Sequence, residues 1–239
     1  MHYEWSALYE TLRGCTGCGL AQTRSHVVIG DGNHSAAIML VGEGPGREED
    51  LQGIPFVGNA GKLLDKMLAA IALDRSEVYI CNIVKCRPPQ NRVPADVEAM
   101  ACLPYLRAQF ALVRPKIIVC LGATAARYVY DESVRITRDR GVWKCKKGIW
   151  ILPTYHPAAL LRDEGKKRDA WEDFKKLKSK YLELQQKKHG EERIGHLRCT
   201  PVKCYNKTLN LRGGKMVCLD IPNGQTLKTK KKKRIRSAE

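Results

Sequence analysis

Between residues 42 and 61 the chain reads Gly-Glu-Gly-Pro-Gly-Arg-Glu-Glu-Asp-Leu-Gln-Gly-Ile-Pro-Phe-Val-Gly-Asn-Ala-Gly. Glycines at 42, 44 and 46 let the backbone approach a ligand and present bare N–H groups to it, while Pro45 restricts the loop. A phosphate cradle is excluded, because no Gly-Lys-Ser/Thr or Gly-x-Gly-x-x-Gly is in place and Glu43, Glu48, Glu49 and Asp50 would repel a triphosphate. The acidic cluster followed by Phe56-Val57-Gly58 reads instead as a pocket wall. Asn82 interrupts the apolar run Val78–Val84, and His156 follows the run Ile149–Pro153. A strand asparagine commonly satisfies local backbone, and a histidine before proline is commonly structural. Polar residues at three strand ends of an α/β sheet, however, stand where such sheets bind ligands.

The cysteines form a second constellation. Cys15-Thr16-Gly17-Cys18 is a metal knuckle or a redox pair; it follows a helical pattern and enters a polar loop, which favours metal. Cys86 and Cys102, each beside prolines, are the best further ligands, whereas Cys81 and Cys120 lie in apolar strand patterns and read as core thiols. Spacing alone leaves zinc and an iron–sulfur cluster both open.

The elements that must position these residues alternate. Trp5 to Leu12 reads as a short helix, Ala36–Val41 as a buried strand, and Ala60–Leu73 as a helix with apolar residues at helical spacing. Strand Val78–Val84, a helix over about Ala95–Val113, strand Lys116–Gly122 and strand Ile149–Pro153 follow, closed by a helix from about Arg168 to Leu184. Residues 131–148 are basic and weakly patterned, with a hairpin expected around Trp143. The expected fold is a three-layer α/β/α domain over residues 1–185 with a mostly parallel four-stranded sheet.

Composition sets the partners. Of a net charge of +17 over 239 residues, positions 186–239 hold 15 Lys/Arg against 4 Asp/Glu, leaving about +6 for the first 185. Both parts favour a polyanion such as nucleic acid. The segment 186–239 reads as a basic extension with a hairpin at 208–219 and a solvated run at Lys230–Arg236; His196, Cys199, Cys204 and Cys218 are too irregularly spaced to argue for a second metal site. No leader or membrane span is recognisable, so a cytoplasmic location is expected, where ten cysteines point to metal rather than disulfides.

Three segments carry a resemblance: Gly42-Glu-Gly-Pro-Gly with Glu49-Asp50 and Pro55-Phe56-Val57-Gly58; Cys81-Asn82-Ile83-Val84-Lys85-Cys86-Arg87-Pro88-Pro89 with Asn91-Arg92 and Pro94; and Tyr155-His156-Pro157-Ala158-Ala159-Leu160-Leu161-Arg162. Over roughly residues 5–184 the chain resembles the family-4, iron–sulfur uracil-DNA glycosylases. Cys15, Cys18, Cys86 and Cys102 match that family's ligands, which implies a [4Fe–4S] cluster. The resemblance further implies a monomer that turns uracil out of single- or double-stranded DNA and hydrolyses its glycosidic bond. Phe56 then lies against the uracil face. Asn82 accepts from N3–H and donates to O4, a pattern that cytosine reverses. His156 and the glycine-loop N–H groups around Gly44 stabilise charge on O2. Related families carry Asp or Asn at Gly44, so water orientation falls to Glu49 with Asn91 helping, and Glu43 becomes a pocket wall. Leu160 matches the wedge that fills the gap in the duplex, with Arg162 near a phosphate. The extension either recruits a repair or replication partner or adds only non-specific DNA affinity.

Two other readings compete with hydrolysis. One is a module that binds uracil and retains it through a histidine adduct, although Arg138-Asp139-Arg140-Gly141 lacks the histidine of such relatives. The other is a redox-sensing iron–sulfur protein that binds nucleic acid without cleaving it.

Overall fold

A computed structural model of the chain describes residues 4–196, 209–212 and 215–218. The chain divides into two units between Lys188 and His189. In the first, six strands form one sheet: β1 (Asp31–Gly32), β2 (Ile38–Gly42), β3 (Tyr79–Asn82), β4 (Ile117–Leu121), β5 (Lys144–Lys146) and β6 (Ile149–Thr154), in the order β1-β3-β2-β4-β6-β5. The four inner strands are parallel. They are the four apolar runs of the sequence, and those of β2, β3 and β4 are buried at every position, as strands covered on both faces must be.

The helices are α1 (Trp5–Arg13), α2 (Arg47–Gln52), α3 (Asn59–Ala70), α4 (Asp96–Val113), α5 (Ala123–Val129), α6 (Ile136–Asp139), α7 (Pro157–Arg162) and α8 (Lys166–His196). Alternate strand side chains face two cores. Met39, Val41, Ile118 and Cys120 pack with Leu103 and Leu106 of α4 and Ala125 and Ala126 of α5. On the other face, Ile38, Leu40, Val119 and Leu121 pack with Leu64 and Leu68 of α3 and Phe174 and Leu177 of α8. Three layers result, as expected.

The sheet has six strands instead of the expected four. Its two extra strands are antiparallel edges of two and three residues, too short to carry a periodic signal. Residues 131–148 supply α6 and β5, and the hairpin turns at Lys147 and Gly148, whose φ values of 52° and 80° fit a tight primed turn. Trp143 precedes that hairpin and packs edge-on against Trp150 at 6.3 Å. Helix α8 continues to His196, beyond the end expected near Leu184.

In the second unit β7 (Leu209–Arg212) pairs antiparallel with β8 (Lys215–Cys218). Gly213, Gly214, Cys199, Cys204 and the Lys230–Arg236 run lie outside the described residues. No helix among the described residues is long and apolar enough to cross a membrane.

Candidate active site

Parallel register brings four carboxyl strand ends to one edge, with Gly42 opposite Asn82 and Leu121 opposite Thr154. From β2 the chain pairs onward to β3 on one side and β4 on the other, the reversal at which open sheets leave a crevice. A cavity of about 480 Å³ opens there, lined by Glu43, Gly44, Glu49, Phe56, Asn82, Asn91, His156 and Arg162 together with Leu121, Gly122, Ile136 and Tyr155. Of the residues singled out from sequence for substrate, catalysis or DNA, only Leu160 is missing from its wall.

Phe56 and His156 face one another across this space with ring centroids 5.5 Å apart. Gly42 lets the other two sides close in: a Cβ there would stand 2.4 Å from Asn82 Oδ1 and 2.6 Å from Phe56 Cζ. Asn82 is 1% exposed, and among the described residues its Oδ1 has no hydrogen-bond partner. Such an orphaned acceptor costs about 1–3 kcal/mol, and it persists where a ligand supplies the missing donor. The main chain at Phe56 is held in place. It is left-handed (φ 54°), and Arg75 donates from Nη1 to the Phe56 carbonyl at 3.1 Å and from Nη2 to the Pro55 carbonyl. Asp31 and Asp65 pair with the same guanidinium.

His156 caps the N-terminus of α7, its Nδ1 accepting from the Ala158 N–H at 3.1 Å. That bond assigns the proton of the neutral ring to Nε2. Burial, with the Arg162 charge adding and Glu49 opposing, lowers the His156 pKa to about 4. The imidazole is therefore a neutral donor at physiological pH.

The two cavity carboxylates differ. Glu49 closes on backbone: Oε2 accepts from Gly46 N–H at 3.0 Å, and Oε1 from Val57 and Gly58 N–H at 2.9 Å each. It fastens the glycine loop to the Phe56 segment and caps α2. Glu43 takes one bond, from the Thr124 hydroxyl. Gly44 sits so close to the next strand's loop that a Cβ would meet Val84 Cγ2 at 2.8 Å, so a larger residue there requires the loop to move. Asn91 lies exposed at the rim with φ 55°, its Oδ1 accepting from Arg87 Nε at 2.7 Å.

Leu160 is 1% exposed and packs with Tyr155, Ala170, Leu63 and Met67. A wedge must reach a duplex, and this side chain faces the interior. Leu161, the next residue, is 49% exposed.

Cys15, Cys18, Cys86 and Cys102 line one small hollow between α1, the loop after β3 and α4. Polar hydrogens point at the sulfurs: Arg24 Nη1 to Cys86 at 3.1 Å, Tyr105 hydroxyl to Cys15 at 3.3 Å, and Gly17 N–H to Cys15 at 3.5 Å. Burial raises the Cys86 thiol and pushes Cys102 up to about 11, so deprotonation there needs a compensating cation. Among the described residues no three His, Cys, Asp or Glu groups converge on a point where one ion would sit. Cys81 and Cys120 are fully buried in strands.

Arg75, Thr124, Lys85 and Leu161 were not identified from sequence. Only Lys85, a charge closing an apolar strand, left a readable signal.

Comparison with known proteins agrees with this geometry. The sequence model of the uracil DNA glycosylase superfamily matches residues 29–175. The Type-4 uracil-DNA glycosylase of Thermotoga maritima is 46% identical over 176 residues, 71% of this chain and 91% of that protein. Those of Sulfurisphaera tokodaii and Archaeoglobus fulgidus are 47% and 44% identical, over 71% and 70% of this chain and 81% and 87% of their own lengths.

Proposed function

The chain belongs to the uracil-DNA glycosylase superfamily, and from that premise we propose that the strand-end cavity receives a uracil turned out of DNA, whose N-glycosidic bond the protein hydrolyses. Free uracil leaves and an abasic site remains, the first step of base excision repair. The observation that carries this reading is the orphaned Asn82 Oδ1 in the cavity beside Phe56. Uracil N3–H supplies the missing donor and O4 accepts from the amide, whereas cytosine presents an acceptor at N3 and a donor at C4. The Phe56 ring stacks on the base.

As the bond breaks, negative charge collects on the leaving pyrimidine, chiefly at O2. Nε2–H of neutral His156 and the N–H groups of the Gly44 loop are donors prepared for it. Positive charge builds on the sugar, facing Glu43 and Glu49. Glu49 has its oxygens committed to three backbone donors, so we assign water orientation to Glu43, with Asn91 helping from the cavity rim and Glu49 keeping the loop in shape. Incubation with a uracil-containing oligonucleotide followed by alkaline cleavage tests the whole reading: strand scission at the uracil position is expected, and intact strands would refute it.

The four-cysteine hollow fits a [4Fe–4S] cluster held by Cys15, Cys18, Cys86 and Cys102, with N–H and O–H donors to sulfur of the kind thiolate ligands attract. Bound there, such a group would tie together the loop after α1, the loop after β3 and α4, and would supply no chemistry at the sugar. A monomer suffices, since every residue named lies in one chain.

The wedge assignment moves by one residue. Leu161→Ala should leave the melting temperature unchanged and slow excision from duplex DNA more than from single strands. Leu160→Ala should instead lower stability by about 2–5 kcal/mol. Thermal melts paired with excision assays on both substrates separate the two residues; a duplex-specific loss in Leu160→Ala alone would restore the original assignment.

The basic extension adds non-specific affinity in this proposal. Deleting residues 189–239 should weaken DNA binding and flatten its salt dependence while leaving the single-turnover rate constant intact. A slowed chemical step with unchanged binding would contradict that assignment.

A further inference from the structure

The residue that reads uracil and the hollow that holds the cysteines are joined through one side chain. Lys85 is fully buried and lines the hollow, next to Cys86 in sequence. Its carbonyl accepts from Val28 N–H at 2.8 Å. Its ammonium donates to the Asn82 carbonyl at 2.6 Å and to Gln109 Oε1 at 2.6 Å. Gln109 is equally buried and is itself fixed, its Nε2 donating to the Ile29 carbonyl at 2.7 Å and to the Tyr79 hydroxyl at 3.0 Å. Both hydrogen-bond acceptors of the ammonium are neutral oxygens. A buried cation in such surroundings is costly unless a nearby negative charge offsets it, and four thiolates around a cluster carry net negative charge.

We propose that Lys85 is a positioning residue that couples the cysteine-held cluster to uracil recognition, by fixing the Asn82 carbonyl with an ammonium that the cluster's charge keeps in place. The inference rests on the cluster and the uracil pocket argued above. With the cluster bound, the ammonium holds the end of β3 and the Asn82 amide is aimed into the cavity. With the cluster removed, the ammonium loses its counter-charge and the amide loses its fixed direction. A hydrolase can in this way depend on iron that takes no part in its reaction.

The test is the binding of free uracil, measured by equilibrium dialysis with and without the cluster, in the unaltered protein and in Lys85→Met. Iron content and visible absorbance verify loading. Cluster removal is expected to weaken uracil affinity about tenfold in the unaltered protein, while loaded Lys85→Met starts about tenfold weaker and loses little more. The reduction potential of the cluster in loaded Lys85→Met should also move negative, because a neighbouring positive charge has gone. Equal uracil affinity with and without cluster in the unaltered protein, or the same loss in both proteins, would overturn the coupling. Should Lys85→Met not take up iron, Lys85→Gln decides: it keeps an N–H for the Asn82 carbonyl but no charge, so the potential should shift while uracil affinity falls less than on cluster removal. An unshifted potential there would overturn the proposal. An unaltered protein that holds no iron, or that neither binds nor releases uracil, would instead remove the reading beneath it.

Discussion

Asn82→Ala is expected to slow uracil release at least about a hundredfold under single-turnover conditions, the loss typical of a site whose hydrogen bonds to substrate are removed. Stability should move the other way or not at all. Oδ1 of Asn82 is buried without a partner in the free protein, so its removal relieves a desolvated acceptor instead of breaking a bond. The paired result, a melting temperature at or above that of the unaltered protein with a collapsed rate, separates a recognition residue from a structural one. A rate within threefold of the unaltered protein would remove Asn82 from the pocket's function. A large fall in melting temperature would show that the amide serves the fold.

His156→Ala should cost roughly 10²–10³ in rate, the range found when one donor to a developing oxyanion is lost. Its pH signature is more specific than its size. Burial lowers the imidazole pKa from the ordinary value of about 6.5 to about 4. The group is neutral above that point and becomes cationic as pH falls through it. Protonation would place a hydrogen on Nδ1, against the Ala158 N–H that now donates there. Titration of this ring therefore leaves the single-turnover rate unchanged between pH 6 and 8 and lowers it only near pH 4. A rate profile with an inflection close to 6.5 that disappears in His156→Ala would overturn this assignment.

The four inner strands were legible because each is built largely from one run of apolar residues. Edge strands β1 and β5 were not, since two or three half-exposed residues carry no period. Within the cavity, Phe56, Asn82 and His156 could be read because their side chains interrupt or follow apolar runs at strand ends. Glu49 could be read as important but not for what it touches: a carboxylate that binds three backbone N–H groups looks, in one dimension, the same as one that faces a ligand. Arg75 escaped for the complementary reason, that the oxygens by which it holds Phe56 and Pro55 are main-chain carbonyls, which leave no residue type to recognise. Leu160 and Leu161 differ by one step around a helix of six residues, too short for periodicity to decide which one turns inward.

The sheet's two margins bear on how the protein behaves in a crowd. A long bare margin invites strands from neighbouring molecules, the route to fibrils. Here one margin is only Asp31 and Gly32, and the other is Lys144–Lys146, with a lysine at each end. Neither margin of this sheet thus offers a neighbouring copy a strand long enough to pair with.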